Sequence, residues 1–591
     1  MTAHRAALWR DPERLLLPPI RMGIALVLLT PLVTAPWTLY PFSVGKALWA
    51  RVLIAVVFAL WAVLALMRSG WRPPRSALLW VLAAGLAAAL LSAVFGVSPQ
   101  HSLWSTYTRM QGIVNAAHWA AFALVVASVA RTWADWTRLL NANLAVGLAV
   151  SAFAIVRFAA PETPLPFPFR EGYWPRIGAS AGNPILLGAY LQAIALLAIG
   201  FLVRSCCAPP APAPEAARYR KPAARRRRAR ESRKVTAPPA PGDGWWRRLF
   251  WAATACSALA GLTLTGSLGA GAGLGAGLGA ACLLYALFGR ARRARRLGLA
   301  GLGALGACAL VLALVLALRG GEAPAPAAEP DRTAGEQSVR PTLRGGNVML
   351  ERATSAEWVG FTLGNRLRSW EAGLKAFAER PLLGWGPDNY FVASARHLSA
   401  PRERTRVQDH AHNLLVEEAA GKGALGLAAW LALWGLTGLV VLRAARRIGD
   451  ARERALAVFA GAVLAGWFVQ GQTSFYSAES WLQHMLLLGF LTHIEAAMRA
   501  AREAEAPRRL PAALRLAAAL PLPVSLRRAG LRALGAMRTA LPRIRPGMRV
   551  AAGAAALGVA GASIASSAAI HAGAAAMWRA DHGGPFIAEV E

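Results

Sequence analysis

The sequence predicts an all-α polytopic membrane protein, and three observations carry that prediction. Of the 591 residues, 56% are hydrophobic and mean hydropathy is +0.39, too apolar for a soluble chain of this length. Unbroken apolar runs of about 18 or more residues recur along the chain, which is the length a helix needs to cross a bilayer core. A barrel strand would instead alternate polar and apolar positions. Arginine, finally, is concentrated in alternate connections between the runs, as expected when cytoplasmic loops retain positive charge.

The runs fall at 20–40, 47–67, 76–95, 113–130, 137–158, 184–203, 248–266, 269–288, 297–318, 424–443, 455–472 and 479–496, about 12 spans. A thirteenth candidate, rich in Ala and Gly, lies at 549–573. The first run is long and lacks a small-residue cleavage site, so it reads as a retained span and not a signal peptide. With the N-terminus and its Arg5, Arg10, Arg14 and Arg21 in the cytoplasm, the connections at 68–75, 131–138, 204–248, 289–296 and 443–454 are all cytoplasmic and Arg-rich. This distribution accounts for the formal charge of +35 without a nucleic-acid partner. The run Arg225–Arg230 (RRRRAR) sits in a Pro/Ala-rich linker and reads as a solvated tether near anionic lipid.

The chain divides into an N-terminal bundle (1–203), a basic linker (204–247), further spans (248–318), a large outer loop (319–423), C-terminal spans (424–496) and a basic region (497–591) with the extra candidate span. Cys206 and Cys207 lie near a cytoplasmic helix end and Cys256, Cys282 and Cys308 within spans, so no disulfide is expected in the outer loop and no metal-ligand spacing occurs. The glycines from Gly266 to Gly279 are followed by no Lys-Ser/Thr, and read as close helix packing, not as a phosphate loop.

The outer loop begins with EAPAPAAEPDRTAGEQ, a disordered-looking composition around 322–337. In NRLRSWEAGLKAFAER, Leu367, Trp370, Leu374 and Phe377 recur at helical spacing, and Pro381 ends that helix. GWGPDNYF is a tight turn, and HNLLVEEAAGKG a short helix leading into the tenth span. Residues 497–548 read as a basic surface helix among lipid headgroups.

Three polar clusters share the outer side: Arg109 with Gln111, Arg176 with Asn183, and Arg366 with Trp370 through His412 and Asn413. An arginine fork suits a phosphate or diphosphate because it is always charged and grips two oxygens together. A histidine beside such forks can take a proton near neutral pH. Each signal taken alone has a plainer reading, a headgroup contact for an Arg and a packed polar residue for a His. His118 and His484, with no acidic residue at helical spacing, read as packed.

The residues of the outer loop resemble a family. His412-Asn413, nine residues, then Gly423-Ala-Leu-Gly426 is similar to the HN-x9-GxxG signature of O-antigen ligases. Arg366-xxx-Trp370 followed by PLLGWGPDNYF resembles the R-xxx-W…PLLGxGPxxF segment of the O-antigen ligase and polymerase superfamily. YTRMQG and R-x-GASAGNP are similar to its outer-loop motifs. The resemblance implies a C-type glycosyltransferase fold with a large periplasmic loop, in the bacterial inner membrane. It implies transfer of a glycan from undecaprenyl diphosphate to an acceptor hydroxyl, lipid A–core or another glycan or protein, with no cofactor or metal. His412 then corresponds to the base, with His410 as base or a purely structural histidine pair as the alternatives, and Arg176 and Arg366 correspond to arginines on the diphosphate.

Arg109, Gln111, Asn183, Trp370, Gly384, Gly386, Asp388, Asn389, His410 and Asn413 complete the candidate set as substrate-binding positions. Within it the glycines also read as turn formers, Asp388 and Asn389 as local backbone caps, and Trp370 as core. The chain departs from the family pattern at Leu268, where Arg is usual, at Ile185, where Asn is common, and in the extra His410. If the loop were helical there, His410 and His412 would point apart, two residues being no helical neighbour spacing. O-antigen ligation is the leading expectation, with O-antigen polymerisation, protein O-glycosylation and non-enzymatic export as alternatives. An exporter would bury charge within several spans, whereas this sequence concentrates it in loops.

Overall fold

The computed structural model describes residues 11–160, 176–207, 243–319, 356–397 and 409–505, together with positions 558, 561, 565 and 569. The Arg225–Arg230 tether, the 322–337 stretch and most of the 497–573 region therefore lie outside the described residues. Fifteen α-helices occur among the residues described. They are α1 (Pro12–Leu28), α2 (Val44–Met67), α3 (Ala77–Phe95), α4 (Pro99–Trp104), α5 (Ile113–Val129), α6 (Trp133–Ala159), α7 (Pro184–Ser205) and α8 (Trp245–Thr265). The remainder are α9 (Leu268–Phe288), α10 (Arg292–Arg319), α11 (Ala356–Glu379), α12 (Tyr390–Ala395), α13 (Leu414–Arg447), α14 (Ala451–Gly471) and α15 (Ala478–Glu505).

Eight of these helices, α2, α3, α6, α7, α9, α10, α13 and α14, are long and apolar enough to cross a membrane. Helices also occupy the other four expected places, as α1, α5, α8 and α15. The first differs from its expected bounds, because α1 covers Pro12–Leu28 and not 20–40. Pro12 opens it at a first-turn position where no N–H is needed. The apolar run continues past residue 28, but Pro31, Pro36 and Pro41 cannot extend the hydrogen-bond ladder. A 3-10 turn (Thr30–Leu32) and a loop follow instead.

The core centres on α7 and α14, the most completely buried of the spanning helices. The glycine-rich α9 packs against both. A Cβ on Gly273 would collide with the carbonyl of Gly466, and one on Gly466 with that of Gly273. The glycine repeat is thus a packing surface, with backbone meeting backbone where side chains would hold the helices apart.

The connections sort to two ends of the bundle. At one end, Val97 N–H donates to the Trp385 carbonyl, Ile177 N–H to Leu264, and Arg366 to Thr473. At the other, Arg204 pairs with Asp243, Arg290 reaches Gly449, and Glu495 accepts from Ser76. The loops read as outer in the sequence meet only one another in these contacts, and so do those read as cytoplasmic.

Candidate functional site

The two glycine-punctuated motifs are halves of one clasp. Trp385 N–H donates to the Ala420 carbonyl at 3.0 Å, and Gly386 N–H to Gly421 at 2.8 Å. Ala424 N–H donates in return to the Pro381 carbonyl at 2.7 Å. Gly423 (φ 65°) breaks α13 into a short first segment and a long second one, and Gly384 (φ 70°) turns the facing strand of chain. A Cβ on Gly384 would lie 2.6 Å from the Gly421 carbonyl, so this approach requires glycine for space as well as conformation. Ser92 Oγ, on α3, bonds the Leu383 carbonyl at 2.6 Å and the Gly421 carbonyl at 2.9 Å, tying the clasp to the bundle.

The clasp fixes the start of α13, and just before it lie both histidines. Asn413 caps that helix, its Oδ1 accepting from Leu415 N–H at 2.9 Å and Val416 N–H at 3.3 Å. Residues 409–413 are not helical, and His412 takes φ 51°. The helical argument against a shared face therefore does not apply. His410 stacks on Phe475 with centroids 4.9 Å apart, and His412 meets the same ring edge-on at 5.2 Å. The Arg109 guanidinium sits 4.4 Å from the centre of that ring, and its Nε lies 2.5 Å from Asp409 Oδ2. One aromatic ring thus carries two imidazoles and a guanidinium.

The two histidines differ electrostatically. Burial alone would lower the pKa of His410, but Glu417, whose Oε1 lies 3.2 Å from its Nδ1, outweighs burial together with Asp388 and Asp409 and pushes it up to about 9. His412 is held down to about 4, by burial first and then by the Arg366 and His410 charges. At neutral pH His410 is an imidazolium and His412 a neutral imidazole. His412 Nδ1 is buried with no hydrogen-bond partner among the described residues. Asp409 stays below its ordinary range despite burial, because His410 and Arg109 stabilise its charge, while burial raises Asp388.

The two arginines expected at a diphosphate each bond a backbone carbonyl at this end of the bundle. Arg366 Nη2 donates to the Thr473 carbonyl at 3.0 Å, and Arg176 Nε to the Thr265 carbonyl at 2.9 Å. Gly269, four residues past Thr265, packs directly on Thr473. Where the family pattern has Arg, Leu268 simply opens α9.

Several other predicted positions have structural work of their own. Asn183 caps α7 through Ile185 N–H at 2.8 Å, and Gln111 Nε2 donates to the Tyr476 carbonyl. Trp370 Nε1 donates to the Ala411 carbonyl at 3.1 Å, bracing the histidine turn from α11. Asn389, fully buried, donates to Ser102 Oγ at 2.9 Å and the Trp385 carbonyl at 3.2 Å. The Asp388 carbonyl lies 3.1 Å from His101 Nε2. His484 packs against Trp434, Trp467 and Tyr476, and His118 Nδ1 lies 2.7 Å from its own helix's Val114 carbonyl.

Sequence reasoning missed Phe475, Thr473, Glu417 and Asp409. The connection 472–477 between α14 and α15 carries no charge and no glycine signal, so nothing marked it as site-forming. It also missed a buried ion pair at this end, Lys46 Nζ to Glu479 at 2.8 Å, beside a buried Arg51 that donates to the Met110 carbonyl. Charge is therefore buried here, at helix ends beside the site.

With this geometry in hand, comparison with known families is direct: residues 252–431 match the O-antigen ligase family model. That segment carries an O-antigen ligase domain. No curated protein sequence matches the chain. Members of the family are enzymes that transfer glycans. The O-antigen ligase segment runs from α8 into α13 and contains Arg366, the clasp and both histidines. Arg109, Gln111, Arg176, Asn183 and Phe475 lie outside it, yet pack onto the same end. The candidate site is thus assembled from the matched segment and from loops on either side of it.

Proposed function

We propose that the chain transfers a glycan from undecaprenyl diphosphate to an acceptor hydroxyl at the periplasmic face of the bacterial inner membrane, with O-antigen ligation to lipid A–core as the reaction. The observation that carries the reading is a His412 whose buried Nδ1 has no hydrogen-bond partner among the described residues, set in the field of the Arg366 guanidinium. His412 takes the proton of the acceptor hydroxyl as its oxygen attacks C1 of the donor sugar. The C1–O bond to the diphosphate breaks, and undecaprenyl diphosphate leaves with the bonding pair. Arg366 and Arg176, whose guanidinium groups bond the Thr473 and Thr265 carbonyls, meet the charge that gathers on the leaving group, where stabilisation is greatest in the transition state.

A base with a pKa of about 4 is weak, and the donor corrects this. The diphosphate brings negative charge against Arg366 and offsets one of the two cations that depress His412, so donor binding strengthens the base that uses it.

The test is His412→Ala in cells and in purified form. The variant inserts in the membrane, lipid-linked donor accumulates, and transfer is lost. Full glycan attachment by His412→Ala contradicts the assignment. Labelled donor offered with lipid A–core, with a second lipid-linked glycan or with a Ser-containing peptide identifies the acceptor, and product on lipid A–core alone is the expected result.

A further inference from the structure

Glu417 occupies the first turn of α13 yet faces backward, out of its own helix. Its Oε2 accepts from Ala411 N–H at 2.7 Å and its Oε1 lies 3.2 Å from His410 Nδ1. One carboxylate therefore holds both residues that precede His412. From the other side Trp370 Nε1 takes the Ala411 carbonyl, and Phe475 lies under the His410 ring with planes 18° apart. His412 itself is left-handed at φ 51°, a conformation that a residue with a Cβ holds only when its surroundings impose it. Its ring has no hydrogen bond through Nδ1 among the described residues and touches Phe475 edge-on. The orientation of His412 is thus set through the backbone and the shared ring.

We propose that Glu417 is a positioning residue for glycan transfer, which clamps His410 and the Ala411 amide so that His412 is held left-handed, on the edge of Phe475 and beside Arg366. The proposal rests on the reading of His412 as the base. A carboxylate is the side chain this clamp needs, because it is acceptor-only and can serve an amide and an imidazolium at once. Asp388, from the clasp turn, and Asp409, itself paired to Arg109, also face His410, so the imidazolium retains negative neighbours when Glu417 is removed. The fold of the turn and the charge of His410 can therefore be separated by substitution.

The experiment measures kcat and donor KM for purified Glu417→Ala and Glu417→Gln, using labelled undecaprenyl-diphosphate glycan and an acceptor lipid, per mole of monodisperse protein. Glu417→Ala is expected to lower kcat on the order of 100-fold while donor KM stays within about twofold, the result of misplacing a base by about 1 Å. Glu417→Gln keeps an oxygen for the Ala411 amide and is expected to recover about tenfold of that loss. It also moves the alkaline limb of activity, set by His410, to lower pH, because the imidazolium has lost its nearest carboxylate. A role confined to folding would change yield and melting temperature without moving that limb. If Glu417→Ala does not fold, Glu417→Gln carries the test through its kcat and its limb. Parental kcat and an unmoved limb in Glu417→Gln overturn the inference. With His412→Ala inactive, that result leaves the base assignment standing, whereas transfer by His412→Ala removes the base reading itself.

Discussion

Both ends of the helix bundle pair charges, but among the described residues only one of them holds backbone at positive φ. At one end, Asp243 is nearly buried and gathers Arg204 at 3.0 Å, Arg247 at 3.6 Å and Arg452, while Asp450 caps α14 through two backbone amides. At the other end lie all the residues that the described backbone places at positive φ: Ser105, Met110, Ala179, Asp388 and His412, and five glycines besides. Strained backbone persists only where surrounding structure over-determines it, and it clusters where chemistry is done. The Asp243 end closes charge on charge over backbone with no positive φ among the described residues. The His412 end holds conformations and ring nitrogens that are costly to keep, and it is there that the O-antigen ligase signature sits.

That contrast predicts that substitutions at the two ends fail differently. The largest effect is on stability at the Asp243 end. Asp243→Ala leaves Arg204 and Arg452 partly buried without their common carboxylate, a loss of about 3–5 kcal/mol for a broken buried pair. Thermal unfolding in detergent should register it, and the activity of the protein that remains folded should be unchanged. A variant that is stable but inactive would break the comparison.

The next effect is on rate at the His412 end. Arg366→Ala removes one donor to developing charge, worth roughly 10²–10³ in kcat. Melting temperature should move much less than in Asp243→Ala, since Arg366 makes one bond to a carbonyl and no ion pair among the described residues. Gly423→Ala is smaller in free energy but touches the frame of the site. It forces a side chain into a left-handed conformation at a cost of order 1–3 kcal/mol, and its Cβ meets the Leu382 carbonyl across the clasp. Loss of both stability and transfer is expected, because the same clasp positions α13 and the histidine turn.

The smallest effects are those of pH, and their signs are fixed. His412 must be neutral to accept a proton, and its pKa is lowered to about 4, so kcat/KM should fall as pH drops through about 4. In the donor complex the diphosphate raises that pKa, so the acid limb of kcat should lie at higher pH than that of kcat/KM. His410 is charged below about 9, and the clamp on Glu417 should weaken as pH rises through that value. Coincident acid limbs for kcat and kcat/KM would contradict the coupling between donor and base.

Much of the bundle was legible in the sequence because unbroken apolar runs have one physical solution in a bilayer. The first helix was misplaced because hydropathy does not register proline: the run continues to residue 40 while Pro31 stops the ladder. Gly384, Gly386 and Gly423 were legible as turn formers, but that they form one clasp depends on backbone bonds between segments that no local pattern encodes. Asn183 and Asn413 each precede a helix, a position where capping competes with ligand binding, and both caps are made. Phe475 was invisible because two adjacent aromatics in an uncharged six-residue connection have no pattern, and its importance lies in the three side chains that converge on it.

The central claim is that the His412 end is where a glycan is transferred, with His412 as the base. Its most direct test is transfer of labelled glycan from undecaprenyl diphosphate by purified His412→Ala beside the parent protein, with donor binding measured in the same preparations. Transfer is expected to fall by roughly 10²–10⁴, the worth of a positioned base, with donor binding retained. Transfer at the parental rate by His412→Ala would contradict that claim.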